Sequence, residues 1–280
     1  MKSLLFLVFF FLFITIQAQE FKVMTYNIRC GHCDDENSNN WDSRKELVLS
    51  AITLEDPDII GFQEIIPMQL EYLSNNLPIY NYFGIGREAD GKGEACYIFY
   101  KKFVFAIDSL NSGTKWYSST PNVPGSADMG DIYKRIITYA RLKQLANNKY
   151  FYYFNTHLTY IDSIQKYHIA HLTNIINSRN PNDPFILSGD FNADELSVAI
   201  HDLKNNVPAP MVDTYRKIHP NDTISTFNGF VGNNDGRKID YIFIQDKSFN
   251  VVDAALINNY KNEKYPSDHF PITTVIRFGL

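Results

Sequence analysis

Short apolar runs that end in a polar side chain recur along the whole chain. Their length and their β-branched and aromatic content are typical of buried strands. The segments concerned carry Asn27, Glu64, His157, Asp190 with Asn192, Asp240, and Asp268 with His269. Each of these residues alone has a structural explanation as a turn, cap or core residue. Six such segments in one chain indicate a shared chemical site.

Helical periodicity separates some of these strands. A helix that begins at Asp42 or Ser43 is predicted to end before Pro57. Two further helices are predicted over Met68–Leu77 and Ile164–Ile176. The last is predicted to be amphipathic, and its turn spacing is marked by Ile164, Tyr167, Ala170 or His171, and Asn174. Strands are predicted over Asp58–Phe62, Tyr80–Ile85, Ala95–Tyr100, Phe103–Asp108, Ile136–Leu145, Lys149–Asn155, Phe185–Leu187, Ile239–Ile244, Val251–Leu256 and Ile272–Phe278.

The balance of elements predicts an α+β fold. Strands outnumber helices, which favours two packed sheets with helices outside. The stretch Asn111–Asp131 is rich in Gly, Pro and Ser and is predicted to be a long loop. The candidate residues span the chain and no linker separates them, so residues 19–280 are predicted to form one catalytic domain.

The N-terminus has the pattern of an export signal. Met1–Ala18 has Lys2 near its start and an apolar run, Leu4 to Ile16, that is short for a membrane span. We therefore expect a secreted or periplasmic protein with no stable membrane insertion after signal removal. A retained N-terminal anchor is the alternative.

Composition narrows the choice of partner. The net charge of −5 does not favour tight non-specific binding to nucleic acid. It does not exclude a nuclease, because bound cations change the local potential of an acidic site. The 21 Phe and 18 Tyr residues are enough to build a sizeable core.

The cysteines raise a competing interpretation. Cys30-Gly31-His32-Cys33 has the same sequence as the active site of protein disulfide isomerases. Such a site needs its first cysteine at a helix N-terminus, whereas a polar stretch follows here. A redox enzyme is therefore disfavoured, and a structural disulfide between Cys30 and Cys33 is one option for an exported protein.

The ordered motifs resemble the endonuclease/exonuclease/phosphatase superfamily, from about residue 21 to the C-terminus. They are the Asn27 strand, Gln63-Glu64, Asn155-Thr156-His157, Gly189-Asp190-Phe191-Asn192, Ile239-Asp240-Tyr241 and Ser267-Asp268-His269. The segments Asn40–Arg44, Gly86–Gly91 and Gly93–Tyr100 look like the secreted bacterial branch, whereas Lys115–Pro121 departs from it. The resemblance implies a four-layer α/β/β/α sandwich of two mixed sheets flanked by helices.

The resemblance also implies roles for the polar residues. Glu64 is the principal ligand for Mg²⁺ or Mn²⁺, with Asn27 and Asp268 helping directly or through water. Asp190 and Asn192 orient the attacking water. His269, oriented by Asp240, acts as general base or stabilises the pentacovalent phosphorus.

A second set of residues is expected around the phosphate. His157 donates to a non-bridging oxygen or protonates the leaving group, and Glu94 holds His157. Arg135 clamps the phosphate through its guanidinium group. Arg29, Arg44 and Arg87 are weaker phosphate candidates.

These roles predict a metal-dependent phosphoesterase that attacks its substrate by in-line displacement. The leading substrate is a phosphodiester, from nucleic acid or a similar molecule. Alternatives are a phosphomonoester on inositol or a sugar, and a sphingomyelinase-like lipid phosphodiester. A catalytically inactive binding protein on the same fold is the non-enzymatic alternative.

Overall fold

The computed structural model describes residues 19–33, 39–128, 130, 133–207, 210–232, 237–258 and 264–279. The predicted signal over residues 1–18 lies outside these ranges. Among the helices in these ranges, none combines the length and the apolar character that a membrane crossing requires.

Two mixed sheets form the centre of the described part of the chain. In chain order the strands are β1 (Phe21–Asn27), β2 (Ile59–Gln63), β3 (Tyr80–Phe83), β4 (Ile98–Lys101), β5 (Phe105–Trp116), β6 (Ile136–Gln144), β7 (Tyr150–His157), β8 (Phe185–Asp190), β9 (Met211–Asp213), β10 (Asp240–Gln245), β11 (Phe249–Leu256) and β12 (Ile272–Phe278). One sheet has the order β11-β12-β1-β2-β4-β3 and the other β5-β6-β7-β8-β10-β9. The parallel pairs are β1 with β2 and β7 with β8.

Helices cover the outer faces of the sheets. On these faces lie α1 (Trp41–Glu55), α2 (Pro67–Asn76), α3 (Asp162–Asn177) and α4 (Val198–Asn206). The short helix α5 (Thr214–Ile218) instead packs through Tyr215 and Ile218 on the apolar cluster between the sheets. One apolar cluster unites α1 and α2 with the first sheet, and another unites α3 and α4 with the second. A third cluster, which includes Phe21, Ile59, Phe151 and Ile242, fills the space between the sheets. The predicted four-layer sandwich is thus confirmed.

One prediction about local structure was wrong. The stretch Asn111–Asp131 is not all loop, because β5 continues to Trp116 and pairs with β6 after an irregularity between Asp108 and Gly113. Its polar residues lie on an edge strand, where one side faces solvent, so the apolar alternation is weak. In α3 the marked residues Ala170 and Asn174 are exposed. The buried face carries His168, Ile169, Leu172 and Ile176, among others.

A buried polar seam joins the two sheets. Gln63, at the end of β2, donates to Asn155 Oδ1 of β7 at 2.7 Å. Asn155 donates back to the Phe62 carbonyl at 2.8 Å. Gly61 allows this approach, since a Cβ there would lie 2.5 Å from Ser188 Oγ and 2.8 Å from Asn155 Oδ1. These hydrogen bonds satisfy the amide nitrogens of Gln63 and Asn155 and the Asn155 oxygen between apolar layers.

The tight pairing of β7 and β8 generates a prediction about Gly189. Its φ is +150°, and a Cβ would lie 2.1 Å from the Thr156 carbonyl oxygen. We expect Gly189→Ala to lower the free energy of unfolding by about 2–5 kcal/mol through overpacking and backbone strain. Urea unfolding followed by circular dichroism measures the change.

Gly91→Ala is the matched control, because Gly91 also has a positive φ of +76° but a Cβ added there would meet no atom within 4 Å. It should lose only about 1 kcal/mol. Equal losses in the two variants would show that the contact with Thr156 does not limit this position.

Candidate active site

The polar ends of the strands meet at one edge of the sandwich. The registers of β7, β8 and β10 place His157 beside Asp190 and Asp190 beside Asp240. Asn27 ends β1, and Glu64 follows β2, its parallel neighbour. Because carboxyl ends of parallel strands lie on the same side of a sheet, residues distant in sequence converge here. All the residues predicted from the six segments are therefore brought together.

Glu64 is held from two sides. Its Oε1 accepts from Asn27 Nδ2 at 3.0 Å and its Oε2 from the Cys30 amide at 2.9 Å. Burial would raise the pKa of Glu64, but the Asn27 hydrogen bond and the His269 charge outweigh it and lower the pKa. The carboxylate is therefore kept ionised although it is half-buried.

Asp268 supplies a second carboxylate. Its pKa is raised by burial and by the charge of Glu64, while His269 and Arg29 act in the opposite direction. Arg29 Nη1 lies 3.7 Å from Asp268 Oδ2. Because two nearby carboxylates repel each other, a cation bound between them would stabilise both in the ionised form.

Asn27 bridges the acidic groups in a way the sequence did not predict. Its Nδ2 donates to Glu64 and, at 2.9 Å, to Asp190 Oδ2, while its Oδ1 accepts from the Arg29 amide. The amide thus orients two carboxylates at once, with its oxygen directed to the backbone.

Asp190 lies between two imidazoles. Its Oδ2 is 3.4 Å from His157 Nε2 and 3.7 Å from His269 Nε2. Burial, followed by the charge of Asp240, raises the pKa of Asp190 to about 7. A carboxylate with that pKa can accept a proton near neutral pH.

The two imidazoles differ in charge. Burial favours neutral His269, but Asp240, whose Oδ2 lies 2.9 Å from Nδ1, and Asp190 raise its pKa well above the ordinary value. Burial, Arg135 and Arg87 instead lower the pKa of His157 well below it. The site therefore pairs a cationic imidazole with a neutral one on either side of Asp190.

Glu94 does not hold His157 as predicted. Its two oxygens accept from Arg87 Nη1 and Nη2 at 2.8 and 2.7 Å. The amide of Asn192, 3.0 Å away, lies against His157 Nε2 instead. Arg87 and Glu94 lie opposite each other in the short hairpin of residues 86–95. The register of this hairpin was not predicted from the sequence.

Arg135 lies at the closed end of the site. It is 8% exposed, and within the described part of the protein its Nε and Nη1 have no hydrogen-bond partner. It lines a cavity of about 420 Å³ together with Glu64, Asp190 and both imidazoles. This placement is consistent with the predicted binding of an oxygen-rich group.

The loop after β1 supports the acidic residues. A disulfide joins Cys30 and Cys33. Arg44, a weaker phosphate candidate, is buried and donates to the carbonyls of Ile28, Arg29 and Pro266, so it braces the loop. Cys30 follows a strand and is not at the start of α1, so the helix dipole required for a redox cysteine is missing there.

Three residues of the site have left-handed backbone conformations. The φ angles are 57° for Arg29, 63° for Glu64 and 50° for Asn192. Such conformations are uncommon for residues other than glycine and cluster at functional sites. They direct these side chains toward one cavity from the ends of their strands.

The donor set fits a hard divalent cation. Half-buried Glu64 and buried Asp268 present carboxylate oxygens to the cavity, and Mg²⁺ and Mn²⁺ prefer such ligands. A second group of donor atoms, from Asp190, Asp240 and His269, lies within 4.8 Å of one another. The cluster of Cys30, Cys33 and Glu64 does not suit a metal, because the two sulfurs are joined to each other.

Five aromatic residues whose rings could stack a base or a sugar divide into two sets. Tyr97, Trp116 and Tyr117 are buried and pack in the core. Tyr133 and Tyr160 are 40% and 56% exposed and line the cavity. Only this second pair is placed to contact a ligand.

The sequence matches the Endonuclease/Exonuclease/phosphatase family over residues 24–269, and the chain belongs to this family. Members hydrolyse phosphoesters and use a divalent metal ion, so the site is that of a phosphoester hydrolase. The superfamily predicted from the motifs is confirmed.

Similar proteins extend over nearly the whole chain. A family member from Bacteroides thetaiotaomicron is 28% identical, with a TM-score of 0.83, covering 94% of this chain and 100% of its own. A mannosyl-6-phosphatase from the same organism is 28% identical, with a TM-score of 0.82, covering 92% and 100%. An uncharacterised protein of Acanthamoeba polyphaga mimivirus is 29% identical, covering 91% and 99%.

The contact between His269 and Asp240 gives a prediction that needs no substrate. Asp240→Asn removes the charge that most strongly raises the pKa of His269, so the pKa should fall toward the ordinary histidine value. Titration of the imidazole carbon resonances by NMR, in EDTA, measures the change. Asp253→Asn, at an exposed position on β11, is the control. An unchanged His269 titration in Asp240→Asn would contradict this assignment.

Proposed function

We propose that this protein is a Mg²⁺- or Mn²⁺-dependent phosphoester hydrolase that uses direct attack of water. The observation that carries the proposal is Asp190, which lies between a neutral and a cationic imidazole and lines the same cavity as Glu64 and Asp268. The bound metal ion would be held by Glu64 and Asp268 and would polarise the phosphoryl group. Asn27 would keep Glu64 and Asp190 in position.

Proton transfer falls to the residues around Asp190. With its pKa near 7, Asp190 is suited to accept a proton from the attacking water, which Asn192 helps to orient. His269, which is cationic, stabilises negative charge on phosphorus better than it acts as a base. His157, which is neutral, is suited to donate a hydrogen bond to a non-bridging oxygen.

The substrate best supported is a phosphomonoester. The cavity of about 420 Å³ suits a small phosphorylated molecule. The similarity to a mannosyl-6-phosphatase supports the same class. A phosphodiester of nucleic acid is the second candidate, favoured by exposed Tyr133 and Tyr160, whose rings could stack a base.

We also propose that the protein is exported, as a member of the secreted bacterial branch. The N-terminal sequence pattern supports this location. The disulfide supports it too, since disulfides persist in oxidising compartments.

Metal removal tests the proposed reaction. We expect EDTA to abolish hydrolysis of whichever phosphoester is turned over, and Mg²⁺ or Mn²⁺ to restore it, because the carboxylates of the site otherwise repel the phosphate. The panel contains sugar and inositol phosphates, p-nitrophenyl phosphate, bis-p-nitrophenyl phosphate, DNA, RNA and sphingomyelin. Turnover that persists in EDTA would exclude this mechanism. A folded protein that binds Mg²⁺ in calorimetry without any turnover would support the binding-protein alternative.

Glu64→Gln tests the metal ligand. The amide keeps the shape but removes the charge, so we expect kcat/KM to fall on the order of 10²- to 10³-fold and Mg²⁺ binding to weaken in calorimetry. Glu71→Gln, at an exposed position on α2, should match the unmodified enzyme. Full activity in Glu64→Gln would remove Glu64 from the mechanism.

A further inference from the structure

A small recess extends from the cavity beyond Glu64 and His157. Its volume is about 10 Å³, and its polar lining includes Arg87, Glu94 and Arg135. This volume holds about one water-sized oxygen atom. The buried Nε and Nη1 of Arg135 have no partner among the described residues, although a buried N–H normally has one. The recess therefore requires an oxygen from outside the protein.

Glu94 and Arg87 form a fixed wall of this recess. Their side chains are 19% and 13% exposed and make two parallel hydrogen bonds. The hairpin that carries them is tied to the chain next to Glu64, because the Ala95 amide donates to the Ile65 carbonyl at 2.8 Å. The Arg87 carbonyl accepts from Trp116 Nε1 at 2.7 Å. This wall is therefore rigid relative to the metal site.

The wall offers both kinds of hydrogen-bonding group. Each carboxylate oxygen of Glu94 keeps a lone pair beyond its bond to Arg87, whereas Arg135 offers N–H donors and no acceptor. Both side chains line the recess. Burial and the charge of Glu64 raise the pKa of Glu94, and the nearby charges of Arg87 and Arg135 act in the opposite direction. One oxygen atom in the recess would therefore meet an acceptor and a donor together.

A hydroxyl group matches this arrangement better than a phosphoryl oxygen does. A hydroxyl can donate to Glu94 and accept from Arg135 at once. A phosphoryl oxygen of the ionised substrate can only accept, so it would leave the free lone pairs of Glu94 without a donor. The chemistry of the recess thus favours an alcohol on the leaving group over the phosphate itself.

We propose that Arg87, Glu94 and Arg135 form a specificity subsite for a hydroxyl of the leaving group, and that the substrate is a phosphorylated polyol such as a sugar or inositol phosphate. This inference rests on the proposed phosphoesterase function and assigns its substrate class. Arg135 thereby becomes a residue that binds the leaving group, in place of a simple phosphate clamp.

The rim of the cavity suits the same kind of substrate. The guanidinium carbons of Arg87 and Arg135 each lie 5.6 Å from the Tyr133 ring centroid, so Tyr133 covers both. Its exposed ring offers an apolar face beside the polar recess. A polyol has both C–H and O–H faces, and this combination of surfaces matches them.

Monodeoxy substrates test the subsite in the unmodified holoenzyme with Mg²⁺. The hexose phosphate or inositol phosphate with the highest kcat/KM is compared with analogues that each lack one hydroxyl. We expect one analogue to lose about tenfold to one-hundredfold in kcat/KM. In that analogue the missing hydroxyl leaves the free N–H groups of Arg135 and the free lone pairs of Glu94 without a partner. The other analogues should lose much less. Similar kcat/KM values for all analogues would overturn the proposal without any variant.

Glu94→Gln then tests whether Glu94 binds the hydroxyl that the deoxy analogues identify. In this variant the parent and the sensitive deoxy analogue should differ by less than in the unmodified enzyme, mainly through a raised KM for the parent. The ratio of kcat/KM for the parent to that for p-nitrophenyl phosphate, which lacks hydroxyls, should fall about tenfold or more. Asp90→Asn removes an exposed charge from the tip of the same hairpin and should leave both ratios unchanged.

The outcomes separate the two proposals. An active enzyme in which Glu94→Gln lowers hydrolysis of polyol and aryl phosphates by the same factor would overturn the hydroxyl subsite and leave the phosphoesterase intact. Preference for phosphodiesters over every polyol phosphate would overturn it as well. Absence of metal-dependent turnover on all phosphoesters would overturn both.

Discussion

The hydrogen bond between Gln63 and Asn155 is the constraint on which the site depends, because it fixes the position of one sheet relative to the other. Glu64 follows the first of these residues directly, and His157 lies two positions after the second. A shift between the sheets would therefore separate Glu64 from His157. Since the amides lie between apolar layers, any sliding would leave buried polar groups unpaired, which gives the sandwich a single favoured alignment.

Electrostatics at the site follow from this alignment. Acidic residues of both sheets surround His269, whereas Arg87 and Arg135 lie near His157. The first imidazole is therefore cationic and the second neutral. The cavity thus has an acidic side suited to a cation and a basic side suited to the rest of a substrate. Neither histidine would have this character in isolation, because both are buried and burial alone favours the neutral form.

Much of the fold and the site could be predicted because their signals are local. Strand ends such as Gly189-Asp190 are marked by glycine and polar residues in the sequence itself. The buried strands are marked by continuous apolar runs. Contacts between elements were harder to predict. The partner of Glu94 depends on the register of a short hairpin, and the strand at Gly113–Trp116 has edge-strand polarity. The predicted loop and the predicted partner of Glu94 were wrong for this reason, and α4, β9 and α5 were not predicted.

The positive φ angles of Arg29, Glu64 and Asn192 have a consequence for the evolution of this chain. Each left-handed residue costs about 1 kcal/mol or more relative to glycine, so the fold tolerates strain where its chemistry lies. Substitutions that relax these positions would favour thermal stability while removing side chains of the site. Selection for a hardier protein and selection for a better catalyst therefore oppose each other at these three residues.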